Sequence, residues 1–231
     1  VSGFIVLGVV ILNFDDQFFK DFHAVIGCDE VGRGPIAGPV NGCAVRVDKS
    51  SQNIIPYLQS LNITDSKKLT TKKRLLILDE LGIDVTNLEI SKHYSISTEQ
   101  GQFDFILGEK SPQEIDKINI LQASLKCMKE ASDLLITEHS KIIIDGNKTF
   151  ESIAKTESVI KGDTKSTIIA LASIIAKEYR DHKMCEFDIQ YPGYGLASHA
   201  GYPTVKHKEA VRLLGPTPIH RKSFRGVKEY V

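Results

Sequence analysis

In the stretch Ile26-Gly27-Cys28-Asp29-Glu30-Val31-Gly32-Arg33-Gly34-Pro35, an apolar run that starts at Ala24 delivers two adjacent carboxylates into a glycine turn. Carboxylates at the mouth of a strand hold a hard divalent cation through oxygen. A Gly-x-Gly turn lets backbone N–H groups approach a ligand closely, because no Cβ stands in the way. Arg33 adds a planar fork suited to phosphate. Each part also has an ordinary reading: a solvated Asp-Glu turn, or a glycine pair that only reverses the chain. Together they point to phosphodiester chemistry. A dinucleotide fingerprint fits less well. Three residues separate Gly34 from Gly38 where that fingerprint has two, and Pro35 removes an N–H that a pyrophosphate would need.

Outward from this turn, short strands alternate with helices, which predicts an α/β fold. Ala24 to Cys28 and Gly42 to Val47 read as strands on either side of the turn. Thr70 or Thr71 caps a helix to about Leu81, with Lys72, Lys73 and Arg74 on its exposed face. Asp84 to Ser97 alternates like a strand. Ser111-Pro112-Gln113-Glu114 starts a helix. Apolar spacing through Ile120, Leu121, Leu125, Met128, Leu134 and Leu135 carries it to about Glu138. Lys141 to Asp145 is a buried strand ending in an acidic turn. Val159-Ile160-Lys161 is another short strand, and a long helix runs from about Thr164 to Asp188.

The acids recur at strand ends. Asp145 follows three isoleucines, and Asp163 stands just before a helix. Taken singly, one reads as an Asp-Gly turn and the other as an N-cap. Strand ends in an α/β sheet commonly face one crevice. Four carboxylates brought there repel one another, and bound divalent cations, two of them, relieve the repulsion. Neighbours on a regular strand point to opposite faces, so Asp29 and Glu30 share such a site only where the strand ends.

Composition bounds the rest. The 231 residues carry 29 basic and 29 acidic side chains, so no global charge draws the protein to nucleic acid. The distribution is uneven: residues 205–231 hold seven Lys or Arg against two Glu. Such a stretch either tracks a phosphate backbone or forms a solvated helix face. Cysteines 28, 43, 127 and 185 lack Cys-x-x-Cys spacing, which argues against zinc and for free buried thiols in a reducing compartment. Gly3 to Leu12 is almost wholly apolar but too short to span a bilayer, and it makes a poor signal peptide. A strand or a buried first turn is expected there.

Five strings, in order, resemble the ribonuclease H type 2 family, and among its members bacterial ribonuclease HII. Asp29 to Pro35 with Ala37-Gly38-Pro39-Val40 is similar to the first signature, and Thr64-Asp65-Ser66-Lys67-Lys68-Leu69 to the second. The third corresponds to Lys161-Gly162-Asp163 with Lys165-Ser166, then Ala172 to Lys177 and Arg180-Asp181. Tyr191-Pro192, Tyr194-Gly195, His199, Gly201-Tyr202 and Thr204 resemble the substrate loop. Pro218-Ile219-His220-Arg221 with Ser223-Phe224 resembles the C-terminal signature.

The resemblance implies a ribonuclease-H-like five-stranded mixed sheet flanked by helices, with a helical C-terminal portion. It divides the chain into an N-terminal extension, 1–22, and a catalytic domain, 23–231. A cytoplasmic monomer without membrane attachment is expected. The expected activity is cleavage of RNA in RNA–DNA hybrids and 5′ of single ribonucleotides in duplex DNA, leaving 3′-hydroxyl and 5′-phosphate ends. Asp29, Glu30, Asp145 and Asp163 become the catalytic ligands of two Mg²⁺ or Mn²⁺ ions. Gly32, Arg33 and Gly34 read the 2′-hydroxyl, and Tyr202 packs on the junction sugar. Ser66, Lys67, Lys165 and Arg221 are further substrate contacts.

Three positions depart from the family pattern. Ala200 stands where a lysine is common, which removes a phosphate contact. Leu171 replaces a small residue, and Cys28 a valine. Ribonuclease HIII is disfavoured by Arg33, by Asp163 as the fourth acid and by the short N-terminal segment. A non-catalytic hybrid-binding module would have no need of four acids.

Overall fold

The computed structural model describes residues 14–231; the apolar segment Gly3 to Leu12 lies outside the described residues. Six strands form one mixed sheet: β1 (Ala24–Val31), β2 (Val40–Asp48), β3 (Tyr94–Thr98), β4 (Gly101–Lys110), β5 (Ser140–Asp145) and β6 (Lys155–Val159). Their spatial order is β3-β4-β2-β1-β5-β6. β1 pairs antiparallel with β2 and parallel with β5, and β6 continues the parallel side.

The ribonuclease-H-like α/β architecture holds, with six strands instead of five. β4 gave no alternating signal because its residues 103–108 are buried throughout, as in a strand covered on both faces. Of the alternating run from Asp84 to Ser97, only the end is strand; residues 85–87 form a 3-10 turn. The last strand lies earlier than Val159 to Lys161 and ends at Val159.

The helices are α1 (Ile54–Ser60), α2 (Thr71–Glu80), α3 (Pro112–Ile118), α4 (Ile120–Asp133), α5 (Gly162–Lys165), α6 (Thr167–Gln190), α7 (Leu196–His199) and α8 (Val205–Leu214). Thr70 caps α2, and Ser111 with Glu114 forms a full capping box at α3. The single helix expected from Ser111 to Glu138 is broken at Asn119, whose φ is +65°. Asn adopts the left-handed region without a glycine or proline to announce it. Its side chain then caps α4 by accepting the Gln122 N–H. The helix after Asp163 likewise begins twice, as α5 and then as α6 behind the Ser166 cap.

α6 covers one face of the sheet and α4 the other. Glycines set how closely they sit. A Cβ on Gly27 would lie 2.8 Å from Ile168 and Ile169 of α6, and one on Gly108 would lie 2.2 Å from the Cys127 carbonyl of α4. Val25, Val45 and Ile143 pack on the α6 side, whereas Ile26, Ala44, Ile142 and Ile144 pack on the α4 side. A third apolar cluster, with Ile36, Met184, Leu196, Val211 and Val227, joins the C-terminal elements to the loop after β1.

Two further expectations change. Arg74 is buried and bonds to Glu178 and to the Ser66 and Leu69 carbonyls, so only Lys72 and Lys73 face solvent. Cys185 is exposed, while the other three thiols are buried and free. Leu171 is fully buried in the α6 core. No described helix is long and apolar enough to cross a membrane.

Candidate active site

The site grows from the C-terminal ends of β1 and β5. Side chains alternate along each strand. Residues 25 and 143 face α6, so Asp29 and Asp145 fall on the same face, while Glu30 falls on the α4 side. β5 pairs with β1 only as far as Cys28–Ile144, so both acids lie beyond the last rung of that ladder. β1 nevertheless stays paired to β2 through Val31. Asp29 and Glu30 therefore approach Asp145 from opposite sides of a fraying parallel edge.

Asp163 comes from α5, the short helix after β6. The Gly162 N–H donates to Asp145 Oδ1 at 2.6 Å, which ties that helix to the end of β5. A Cβ on Gly162 would lie 3.2 Å from Asp145 Oδ1 and 2.7 Å from Ile169, so only glycine permits this approach.

The acids feel one another. Burial, then Glu30 and Asp145, hold the Asp29 carboxyl well above its ordinary range. Burial and Asp145 push Glu30 up, against the opposing pull of Arg33, whose Nη1 lies 3.4 Å from Glu30 Oε1. Burial, Asp145 and Asp65 raise Asp163. Lys67 is raised by Asp29, Asp163, Asp65 and Asp145, which outweigh its partial burial. Asp145 is thus a neighbour of all three other acids. Among the described residues, no three His, Cys, Asp or Glu side chains are drawn together as a closed metal-binding set. The donors are all carboxylate oxygens that repel one another, the chemistry that suits a hard divalent cation.

Two supporting residues escaped sequence reasoning. Ser173 on α6 lowers the Asp29 pKa against the pull of burial, and its hydroxyl stands 2.9 Å from that of Ser66, which is buried. Ser66 therefore reaches the acids through Ser173 and is not open to substrate. Asp65 raises the Asp163 pKa, and its carboxylate accepts the Lys67 N–H at 2.9 Å.

The glycine turn lies beside the acids. Gly32 has φ +98°, and a Cβ there would lie 2.4 Å from Arg180 Nε. Arg33 and Gly34 are exposed. Across from Gly34 stands Tyr202, whose Cε1 would lie 3.2 Å from an added Cβ. Tyr202 is 43% exposed, and Lys67 and Lys165 are also exposed.

Arg221 is the clear correction. A phosphate contact needs an open guanidinium, whereas this one is fully buried. Its Nε donates to the Gly38 carbonyl at 3.0 Å and its Nη1 to that of Arg33 at 3.1 Å. Its Nη2 serves the carbonyls of Gly32, at 2.5 Å, and Pro39, at 3.1 Å. Arg180, also fully buried, bonds the Pro39, Ala37 and Ala200 carbonyls. Burial pulls Arg221 down to about 9 and Arg180 to about 10, so both stay charged at neutral pH.

Behind Tyr202, His207 stacks on His199 and meets His220 at a tilt. His207 Nδ1 lies 2.9 Å from the Tyr202 carbonyl, His207 Nε2 lies 3.2 Å from His220 Nε2, and the Thr217 N–H donates to His220 Nδ1 at 3.0 Å. The last bond fixes both tautomers: His220 carries its proton on Nε2, and His207 on Nδ1. The Tyr202 loop is thus seated by two neutral imidazoles.

Comparison with known proteins agrees with this geometry. A family model described as Ribonuclease HII matches residues 26–227. A ribonuclease HII of Pelobacter propionicus is 40% identical over 223 residues, covering 96% of this chain and 90% of that protein. One of Psychromonas ingrahamii is 41% identical over 218 residues, covering 94% and 95%. The crystal structure of ribonuclease H2 from Pyrococcus horikoshii superposes with a TM-score of 0.67 at 25% identity, covering 90% of this chain and 96% of that one. Bst-RNase HIII, solved in complex with Mn²⁺, shares the fold at a TM-score of 0.63 and 16% identity, covering 93% and 72%.

Proposed function

Because the chain belongs to the ribonuclease HII family, and is thereby a ribonuclease H acting on RNA–DNA hybrids, we propose a finer activity for it. It cuts 5′ of single ribonucleotides embedded in duplex DNA and so serves ribonucleotide removal. The observation that carries this reading is the convergence of Asp29, Glu30 and Asp163 on Asp145, beside an exposed glycine turn that faces Tyr202.

Asp29, Glu30, Asp145 and Asp163 would hold two Mg²⁺ or Mn²⁺ ions. When bound, these ions lower the pKa of a water and neutralise charge on the leaving oxygen. The chain's own groups do the rest. The Glu30 N–H, which donates to Asp29 Oδ1 at 2.7 Å, fixes the rotamer of Asp29. The Gly162 N–H does the same for Asp145. Lys67 offsets part of the acids' charge before metal arrives and lies where a phosphate oxygen can reach it; Lys165 offers a second, exposed cation.

The exposed N–H groups of the turn read the 2′-hydroxyl, the group that distinguishes RNA from DNA at one nucleotide. Tyr202 packs on the adjoining sugar. The oxygen of water bonds to phosphorus as the bond to the 3′-oxygen breaks, and a proton passes to that oxygen. The ends are a 3′-hydroxyl and a 5′-phosphate.

We place the catalytic domain at 23–231. The 3-10 helix Phe14–Lys20 docks on it through Phe18, Phe19 and the Asp15 carboxylate, which accepts the Thr167 N–H at 2.8 Å. The reading implies a cytoplasmic monomer. The test is cleavage of duplex DNA carrying one ribonucleotide, with and without Mg²⁺ or Mn²⁺, against an all-DNA control. One metal-dependent cut 5′ of the ribonucleotide supports it. Cleavage restricted to long hybrids would contradict it.

A further inference from the structure

Arg221 and Arg180 lie side by side under the glycine turn, both fully buried, and neither forms an ion pair among the described residues. Burying a guanidinium without a carboxylate is costly, and the chain does it twice in one place. The compensation is entirely backbone carbonyl: seven bonds, to Gly32, Arg33, Gly38, Pro39 twice, Ala37 and Ala200.

The direction of two of those carbonyls matters. No peptide bond here is cis, and in a trans peptide the C=O and the following N–H point opposite ways. The Gly32 carbonyl is drawn inward by Arg221, so the Arg33 N–H faces outward. The Arg33 carbonyl is drawn inward too, so the Gly34 N–H also faces outward. Neither N–H is bonded among the described residues, although the neighbouring Ile36 and Gly38 N–H groups are. One buried side chain thus turns two consecutive peptide units so that their donors face solvent beside Tyr202.

We propose that Arg221 is the positioning residue for ribose selection. It holds the peptide planes 32–33 and 33–34 with their N–H groups presented to the 2′-hydroxyl, and Arg180 braces the far side of the same loop and the Ala200 carbonyl next to Tyr202. This rests on the reading that the turn contacts the ribose. Arg221 itself touches no substrate. Lysine keeps the charge but not the fork that reaches four carbonyls from one side chain.

The test compares wild type, Arg221→Lys and Gly34→Ala. Binding to a duplex with one ribonucleotide and to the same all-DNA duplex is measured by fluorescence anisotropy in Ca²⁺. Cleavage of the ribonucleotide duplex and of a long hybrid is measured in Mg²⁺, with melting curves for each protein. Arg221→Lys is expected to lower the preference for the ribonucleotide duplex roughly ten- to a hundredfold, the scale of one charge-assisted hydrogen bond. It should reduce kcat/KM on the single ribonucleotide more than on the hybrid. A folded Arg221→Lys protein with wild-type preference overturns the proposal. If Gly34→Ala also keeps that preference, the ribose-reading turn itself is wrong; if Gly34→Ala loses it, only the role of Arg221 fails.

Should the lysine variant melt below the assay temperature, wild-type hydrogen exchange decides. The Arg33 and Gly34 amides must exchange freely until the ribonucleotide duplex is added, while the Arg221 guanidinium protons exchange slowly throughout. Protected amides in the free protein, or a fast-exchanging guanidinium, would overturn the proposal.

Discussion

Asp145 Oδ1 accepts the Gly162 N–H at 2.6 Å. Through this bond, the end of β5 holds the helix that carries Asp163, across 17 residues of sequence. It makes Asp145 the hub of the site, since Asp29, Glu30 and Asp163 are each pushed up by its charge.

Asp145→Asn keeps a hydrogen-bond acceptor but removes the shared charge. Cleavage is expected to fall to background, with the circular dichroism unchanged. Near-wild-type turnover would falsify the four-acid site.

Asp29→Asn should also abolish cleavage, and it should raise the melting temperature of the metal-free protein at pH 7. The folded pKa of Asp29 lies above its unfolded value, so the fold binds the proton more tightly. The ionised form therefore weakens the fold at neutral pH, and that weakness fades as pH falls through the folded pKa. Melting curves at pH 7 and pH 4 check the sign: the gain from Asn is large at pH 7 and shrinks at pH 4. A gain independent of pH would point to packing.

The acids were legible because an apolar run ending in Asp is a strong local pattern, and β1 and β5 both have one. Helices α2 and α3 were legible from their caps. Arg221 was not, because a cation near a phosphate-binding turn reads the same in sequence whether it faces out or in. Only the fold shows that four carbonyls 182–189 residues away claim it. β4 was hidden because burial on both faces removes the alternation, and the break at Asn119 because a lone Asn within helical apolar spacing does not announce that its own side chain caps a new helix.

Gly34→Ala and Gly32→Ala should differ in kind. At Gly34 the new methyl meets the Tyr202 ring at 3.2 Å, so the cleft narrows, activity on single-ribonucleotide duplex falls and the melt is preserved. At Gly32 the φ of +98° and the Arg180 contact at 2.4 Å strain the backbone, so the melting temperature itself falls. Equal melts with equal activities would contradict both assignments.

Tyr202→Ala should cost roughly ten- to a hundredfold on a DNA–RNA–DNA junction, taking ~1–3 kcal/mol for aromatic stacking as the scale. The loss should be smaller on a long hybrid, where many contacts share the binding, and Tyr202→Phe should be mild. Equal losses on both substrates would make Tyr202 a loop anchor.

Acid should unseat the Tyr202 loop. His220 is pulled down to about 4 by burial and by His207, and His207 is lowered as well. The stability that these neutral imidazoles give is fully present above the unfolded value near 6.5. It is lost as pH falls toward 4, because the unfolded chain takes up protons that the fold refuses. His220→Gln should melt lower than wild type at pH 7, with the gap closing toward pH 4. A constant gap would show that the pair does not titrate with folding.

Mn²⁺ binding tests the central claim most directly, because it reads the acid cluster without requiring turnover. Calorimetric titration of wild type and of Asp145→Asn, each saturated with a non-cleavable all-DNA duplex, should show Mn²⁺ bound by the wild type and binding largely lost in the variant. Indistinguishable titrations would mean that Asp145 is not the shared ligand, and the account of the site would fall.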